Sequence, residues 1–441
     1  MALSIVLSND EGVPFTPGSL VLGVVKLVAL CDQPIGSVAI SFVGRSKVLL
    51  VHSYGDMTTS RSDYKSCGYL FCKNLNLYSG KYTHPKGTYV WPFVFRIPEF
   101  AHSNLDGYTD MGDAFDHRPP WRGSDAFGHH PLPPSMDHTG AFNCSVEYLL
   151  HATLIRPPES RFAFSNNVGV SKSIQVECPP ERIDSEDGSE WPYETYHHNF
   201  QIRCVNPSTS MKNRVILMIR RSAQSSVEAT PRPKIGIQLC VLVPKIVGTR
   251  PDTTIPILLS ATCLGMTGAK KDECLADVQF PSPTITIKRF TISISAHTKV
   301  RAGCHYPVEK KKVFLGKGAC EIPLTGDAPD REISNEATPF PTNSVNLGDV
   351  ANVRFPYKRL VPDFSTYNIF RAYCLDLRFK VEYAHKTFKF AIRDIPVRVV
   401  SAGFLASDFD TTTLHDSAVI PQPATIDGID HVFGPPPCYQ P

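Results

Sequence analysis

The sequence has little net charge: 45 Lys and Arg stand against 42 Asp and Glu, a formal balance of +3, and charged residues make up 20% of the 441. That share is under the usual ~25%, so nothing in the total calls for a nucleic-acid partner. A long apolar run is also lacking. The longest stretch, Leu20 to Leu30, carries Lys26 at its centre and is about half the ~20 residues that a bilayer-crossing helix needs. The opening Met1-Ala2-Leu3-Ser4-Ile5-Val6-Leu7-Ser8-Asn9-Asp10 has no basic n-region and too short an apolar run for a secretory signal. The 13 cysteines include no CxxC pair, so reduced thiols in a cytosolic protein are expected, not a disulfide framework. Enzyme motifs are missing too. Gly316-Lys317-Gly318 lacks the spacing and the Ser/Thr of a phosphate loop, no G-x-S-x-G elbow occurs, and the carboxylates gather in expected linkers instead of facing one another in strands. A basic-aromatic nucleic-acid module is equally absent. No cofactor is expected.

What is present points to strands. The 38 prolines are about 9% of the chain against a typical ~5%, and they come with 25 Phe and 16 Tyr, a composition of short strands and turns with no sign of long helices. Apolar residues recur with period two: Val38, Ile40 and Phe42; Ile285 and Ile287 leading to Phe290, Ile292 and Ile294; Tyr373, Leu375, Leu377 and Phe379. Alternation puts these side chains on one sheet face and leaves the intervening ones wet. Turn chemistry such as Pro14-Phe15-Thr16-Pro17-Gly18, Lys86-Gly87 and Pro179-Pro180 interrupts at the intervals of β-sandwiches. At roughly 150 residues per domain the length suits about three units or two large all-β ones.

The segment 101–138, loaded with Gly, Asp, His and Pro, reads as a long surface insertion, with strands resuming at Ser145. From Pro179 to about Asn199, Glu181, Asp184, Glu186, Asp187, Glu190 and Glu194 form an acidic connector, the expected domain boundary. After Arg398 there is no Lys or Arg, while Asp408, Asp410, Asp416, Asp427 and Asp430 accumulate, and a disordered acidic tail is expected. The resulting organisation is a first sandwich over 1–178, a linker over 179–199, a second sandwich over 200–402 and a tail over 403–441.

Several segments, in order, resemble the arrestin superfamily, specifically the alpha-arrestins, or arrestin-related trafficking adaptors. Phe15-Thr16-Pro17-Gly18-Ser19-Leu20-Val21-Leu22-Gly23 is similar to that family's proline-glycine turn and glycine-bearing strand. Gly87-Thr88-Tyr89-Val90-Trp91-Pro92-Phe93-Val94-Phe95-Arg96-Ile97-Pro98 resembles its aromatic-proline-phenylalanine strand, and Leu132-Pro133-Pro134-Ser135 with Val146-Glu147-Tyr148-Leu149-Leu150-His151-Ala152 its paired-proline turn and tyrosine strand. In the second half Leu360-Val361-Pro362-Asp363-Phe364 and Ile395-Pro396-Val397-Arg398-Val399-Val400 are similar to the second arrestin-like sandwich. Physically, Gly18 suits a turn, Gly23 a close backbone approach, and Pro92 an edge or bulge where no ladder N–H is needed.

The motif that carries chemistry is Pro436-Pro437-Cys438-Tyr439. Consecutive prolines preset a polyproline II ribbon that WW domains grip in an aromatic groove, with a second pocket for the tyrosine. From this composition chance predicts only about 0.1 such motifs. Pro436, Pro437 and Tyr439 are therefore the expected WW contacts. The resemblance implies a WW-domain HECT-type ubiquitin ligase as one partner and a membrane transporter or receptor cargo as the other. It also implies recruitment from the cytoplasm to plasma membrane or endosomes. Prenylation of Cys438 competes with this reading, since its processing would remove Tyr439, but Tyr439-Gln440-Pro441 is a poor signal. Lys310, Lys311, Lys312 and Lys317 form a candidate patch for anionic membrane or acidic cargo, or else a solvated hairpin. His102, His117, His129, His130 and His138, near Asp113, Asp116 and Asp125, lack metal-ligand spacing and are expected in a solvated loop. Two other functions stay open: a trafficking scaffold of the same fold that recruits no ligase, and a β-sandwich hydrolase.

Overall fold

The structure is a computed structural model that describes residues 1–8, 14–53, 61–101, 130–157, 167–178, 193–203, 234–249, 254–267, 283–325, 343–353 and 360–401. It is nearly all β; helix among the described residues is confined to the single turn Leu347–Val350. No described helix is long and apolar enough to cross a membrane. Residues 1–402 form one compact unit; residues 402–441 lie outside the described residues.

The first half contains β1 (Ala2–Leu7), β2 (Leu20–Ala29), β3 (Gln33–Ser53), β4 (Arg61–His84), β5 (Gly87–Arg96), β6 (Met136–Thr139), β7 (Asn143–Ile155) and β8 (Asn167–Ile174). β2 lies between β1 and β5 in a three-stranded antiparallel sheet. The order β4-β3-β7-β6, with β8 also on β7, makes a five-stranded one. Val21, Val25, Leu27, Val38, Ile40 and Phe42 turn one face of each sheet into a shared core, as period two requires. Gly18 has a φ of 83°, and a Cβ on Gly23 would sit 2.5 Å from the Val6 carbonyl oxygen. Both glycines therefore do what the sequence predicts of them. Pro92 lies on β5, an edge strand, where its missing N–H costs no ladder bond. Tyr148 on β7 donates its hydroxyl to the Pro133 carbonyl at 2.5 Å, tying the paired-proline turn to the tyrosine strand.

The second half contains β9 (Tyr193–Arg203), β10 (Lys234–Pro244), β11 (Ile246–Gly248), β12 (Leu258–Thr267), β13 (Thr284–Val300), β14 (Val308–Thr325), β15 (Val345–Asn346), β16 (Phe364–Ser365), β17 (Ile369–Tyr383) and β18 (Lys386–Val400). Its path is β11-β18-β17-β13-β14-β12-β10-β9, with β15 on β12 and β16 on β17. The sheet curls over a second core. β12 and β14 meet in parallel at Ala261 with Leu324 and Thr262 with Thr325, and rings from near the two ends of the path pack together: His198 on Phe390 at 4.2 Å and Phe200 on Phe388 at 4.7 Å. The change of phase between Ile287 and Phe290 is a register shift in the β13–β14 pairing. It keeps Ile285, Ile287, Phe290, Ile292 and Ile294 all buried.

Two sequence expectations change. Residues 130–138 are part of the fold, because β6 begins at Met136, and Leu132, Met136, His130 and His138 are all buried. Proline and histidine in that stretch disguise a short alternating run. Likewise the acidic connector ends sooner than expected, since Tyr193–Arg203 is a strand; residues 179–192 lie outside the description. The cores are also less separate than the chain order suggests. Val300, Ala302, Tyr367 and Ile369, from the second half, belong to the first core.

Candidate functional site

The expected WW contacts Pro436, Pro437 and Tyr439 lie outside the described residues. The basic candidates are on β14, where alternation parts them: Lys310 and Lys312 face outward, Glu309 and Lys311 the other way. The outward pair is ion-paired. Lys310 Nζ lies 2.5 Å from Asp394 Oδ1 and Lys312 Nζ 2.5 Å from Asp376 Oδ2, while Asp394 N donates to Asp376 Oδ1 at 3.0 Å. Lys317 pairs across to Thr291, five residues further along the strand. The four bases thus share their neighbourhood with three carboxylates, and the field they present is much weaker than Lys310-Lys311-Lys312-x4-Lys317 suggests.

Register explains why these groups meet. Ser293 lies opposite Asp376, Ser295 opposite both Lys312 and Cys374, and His297 opposite Lys310, so a polar row crosses β14, β13 and β17 and ends at Asp394 just before the closing residues of β18. Burial alone would raise the Asp376 carboxyl, but the hydrogen bonds from Lys312 and from Asp394 N, with the charges of Lys312 and Lys310, hold it below its ordinary value. The hydrogen bond to Asp394 keeps Lys310 above its own. Burial, reinforced by Lys310, lowers His297. Ser295, His297 and Asp376 are the residue types of a nucleophilic relay. However, Ser295 Oγ and His297 Nε2 are buried without a hydrogen-bond partner, so the relay is not assembled.

A second polar cluster joins the two halves. The fully buried Asn368, in the turn before β17, accepts from Ser46 Oγ at 2.6 Å and donates Nδ2 to Ser46 O at 3.1 Å and Ser66 Oγ at 3.2 Å. Thr366 Oγ1 adds a bond to Asn368 Oδ1 at 3.3 Å. Gly68 on β4 admits this turn, since a Cβ there would lie 2.8 Å from Ser46 Oγ and 3.2 Å from the Tyr367 ring. At the far end Glu309 reaches back to the first half, accepting from Ala141 N at 2.8 Å and lying 3.2 Å from His138 Nε2. Burial opposes ionisation of Glu309, but the Ala141 and His138 contacts outweigh it and lower its pKa. His138, expected in a solvated loop, is thus a seam residue, and His130 packs edge-on against Tyr367 at 5.1 Å. No sequence signal links residues some 170 or 320 positions apart.

The described residues also line clefts. One of about 310 Å³ lies beside Lys47, Lys65, Asp137, Asn143 and Cys144; burial pushes the Cys144 thiol up to about 12, which disarms it as a nucleophile. Another, of about 420 Å³, is bordered by Glu194, Asp363, Arg371 and Arg398. Among the described residues no group of three His, Cys, Asp or Glu side chains has metal-binding geometry. Comparison with protein-family models and with curated proteins returned no match to this chain.

Proposed function

We propose that this chain is an adaptor of the alpha-arrestin type, in which two arrestin-like β-sandwiches, within 1–178 and 200–402, engage membrane cargo. The tail would hold a WW-domain HECT-type ubiquitin ligase. The observation that carries the reading is Pro436-Pro437-Cys438-Tyr439, a ribbon and a phenol that match the two pockets of a WW domain. It lies in the acidic stretch after Arg398 that contains no Lys or Arg, a composition that favours an accessible segment. Two apolar clusters, one built mainly from the first half of the chain with Val300, Ala302, Tyr367 and Ile369 added from the second, the other from the second half alone, support the two-sandwich organisation. The Gly18 turn, the Gly23 approach and the Tyr148–Pro133 bond give structural roles to the residues on which the resemblance rests.

In this mechanism no bond is made or broken by the chain. It raises the local concentration of ligase at cargo, and with only one PPxY copy there is no avidity from repeated motifs in the chain itself. Reconstitution tests it: a WW-containing HECT ligase and the full-length chain should form a complex that Tyr439→Ala abolishes. Co-isolation of cargo without ligase, unchanged by Tyr439→Ala, would favour the scaffold function instead.

A further inference from the structure

The outer face of the β1-β2-β5 sheet breaks the rule that an antiparallel sheet is apolar inside and polar outside. Val6 is 46% exposed, Leu20 45%, Leu22 38%, Val90 43% and Val94 53%. These five are a third of the 15 large exposed apolar side chains among the described residues, and all lie on three adjacent strands. Register makes them contiguous: Val6 is opposite Val24, Val24 opposite Pro92, and Leu22 opposite Val94. Clustering of this kind marks an interaction surface, whereas scattered exposed Leu or Val does not.

Charge selects the occupant. Two outward positions of these strands are basic, Lys26 opposite Val90 and Arg96 opposite Leu20, and none is acidic. Neither base has an ion pair among the described residues, and Lys73 adds a third cation at the rim through its bond to the Arg96 carbonyl oxygen at 2.8 Å. The nearest acids in sequence, Asp32 and Glu99, fall beyond the strand ends. The face is aliphatic, while protein–protein hot spots favour Trp, Tyr and Arg and are poor in Leu and Val. It also offers no groove, since none of the clefts above opens on it. Aliphatic side chains on an open face, rimmed by cations without acids, suit the boundary between headgroups and acyl chains.

We propose that the outer face of the β1-β2-β5 sheet docks on an anionic lipid bilayer. Val6, Leu22 and Val94 enter the interface, and Lys26 and Arg96 meet lipid phosphates and carboxylates. The membrane contact thereby moves from the ion-paired β14 lysines to the opposite half of the chain. It is independent of the ligase reading, whose residues lie in the tail.

The test is sedimentation of the full chain with phosphatidylcholine vesicles, with and without phosphatidylserine, across a salt series. The parent should be retained on phosphatidylserine vesicles, less so as salt rises. Leu22→Asp/Val94→Asp should lower that retention more than tenfold. Lys26→Gln/Arg96→Gln, which removes charge without disturbing packing, should lower it about twenty-five-fold, at about fivefold per base, and serves if the aspartate variant does not fold. Reversal of Lys310, Lys311 and Lys312 to Glu should leave it near the parent. The proposal is overturned if the parent is not retained, if the charge variant binds like the parent, or if only the Lys310–Lys312 reversal reduces binding. Conversion of a dimer to a monomer by Leu22→Asp/Val94→Asp without loss of vesicle binding would assign the face to a second copy.

Discussion

Truncation of Asn368 to alanine removes the centre of the seam between the two cores, and its cost follows from the bonds lost. The amide makes three short contacts with the first half, to Ser46 Oγ, Ser46 O and Ser66 Oγ, all in a site where Asn368 and Ser46 are fully buried. Each is worth about 1 kcal/mol net, and the amide-sized void adds about 1 more, for roughly 3–4 kcal/mol. The loss is not larger because the stranded hydroxyls keep alternatives: Ser46 Oγ retains the Gly68 carbonyl and Thr366 Oγ1 the Ile369 carbonyl, each at 3.2 Å. Urea unfolding followed by tryptophan fluorescence and circular dichroism would measure it. A Ser46→Ala/Asn368→Ala cycle should show coupling of about 1 kcal/mol. A loss under about 1 kcal/mol for Asn368→Ala, or strict additivity, would refute the claim that this residue clamps the halves.

Gly23→Ala should destabilise by about 1–3 kcal/mol, because the new Cβ would press on the Val6 carbonyl and on Phe93 Cζ at 2.7 Å, and a strand carbonyl cannot swing aside; thermal unfolding checks it. Asp376 supplies a pH dependence. Its carboxyl is more acidic folded than unfolded, so its contribution is fully present above the unfolded value and is lost as pH falls through the lower folded one. Asp376→Asn should therefore flatten the acid limb of stability below about pH 4, measured by denaturant midpoints across pH. An unchanged limb would show that Lys312 does not hold the carboxylate.

Much of the fold is legible because period two survives in β3 and β17, and on either side of the phase change in β13. Val38-Ile40-Phe42 and Tyr373-Leu375-Leu377-Phe379 are buried as their alternation predicts. Alternation reports which face a side chain takes, not what lies over that face. Asp376 sits on the wet side of β17 yet is 6% exposed, since Lys312 and the Asp394 backbone, from strands on either side, close over it. Asn368, His138 and Glu309 were illegible for a related reason: each is polar in sequence and gains its meaning only from a partner in the other half. The three consecutive lysines read as one patch because a linear motif hides that neighbours on a strand point to opposite faces.

The central claim is that the tail recruits a ligase, and calorimetric titration of a HECT-ligase WW domain into the full-length chain tests it most directly. A single ribbon and phenol should bind with Kd on the order of 10 to 100 µM, about −5.5 to −7 kcal/mol. Tyr439→Ala, Pro436→Ala and Pro437→Ala should each lose most of the heat, and Cys438→Ser almost none, because the third position faces away from the groove. Binding by Tyr439→Ala equal to the parent, or no binding by the parent at all, would contradict the account.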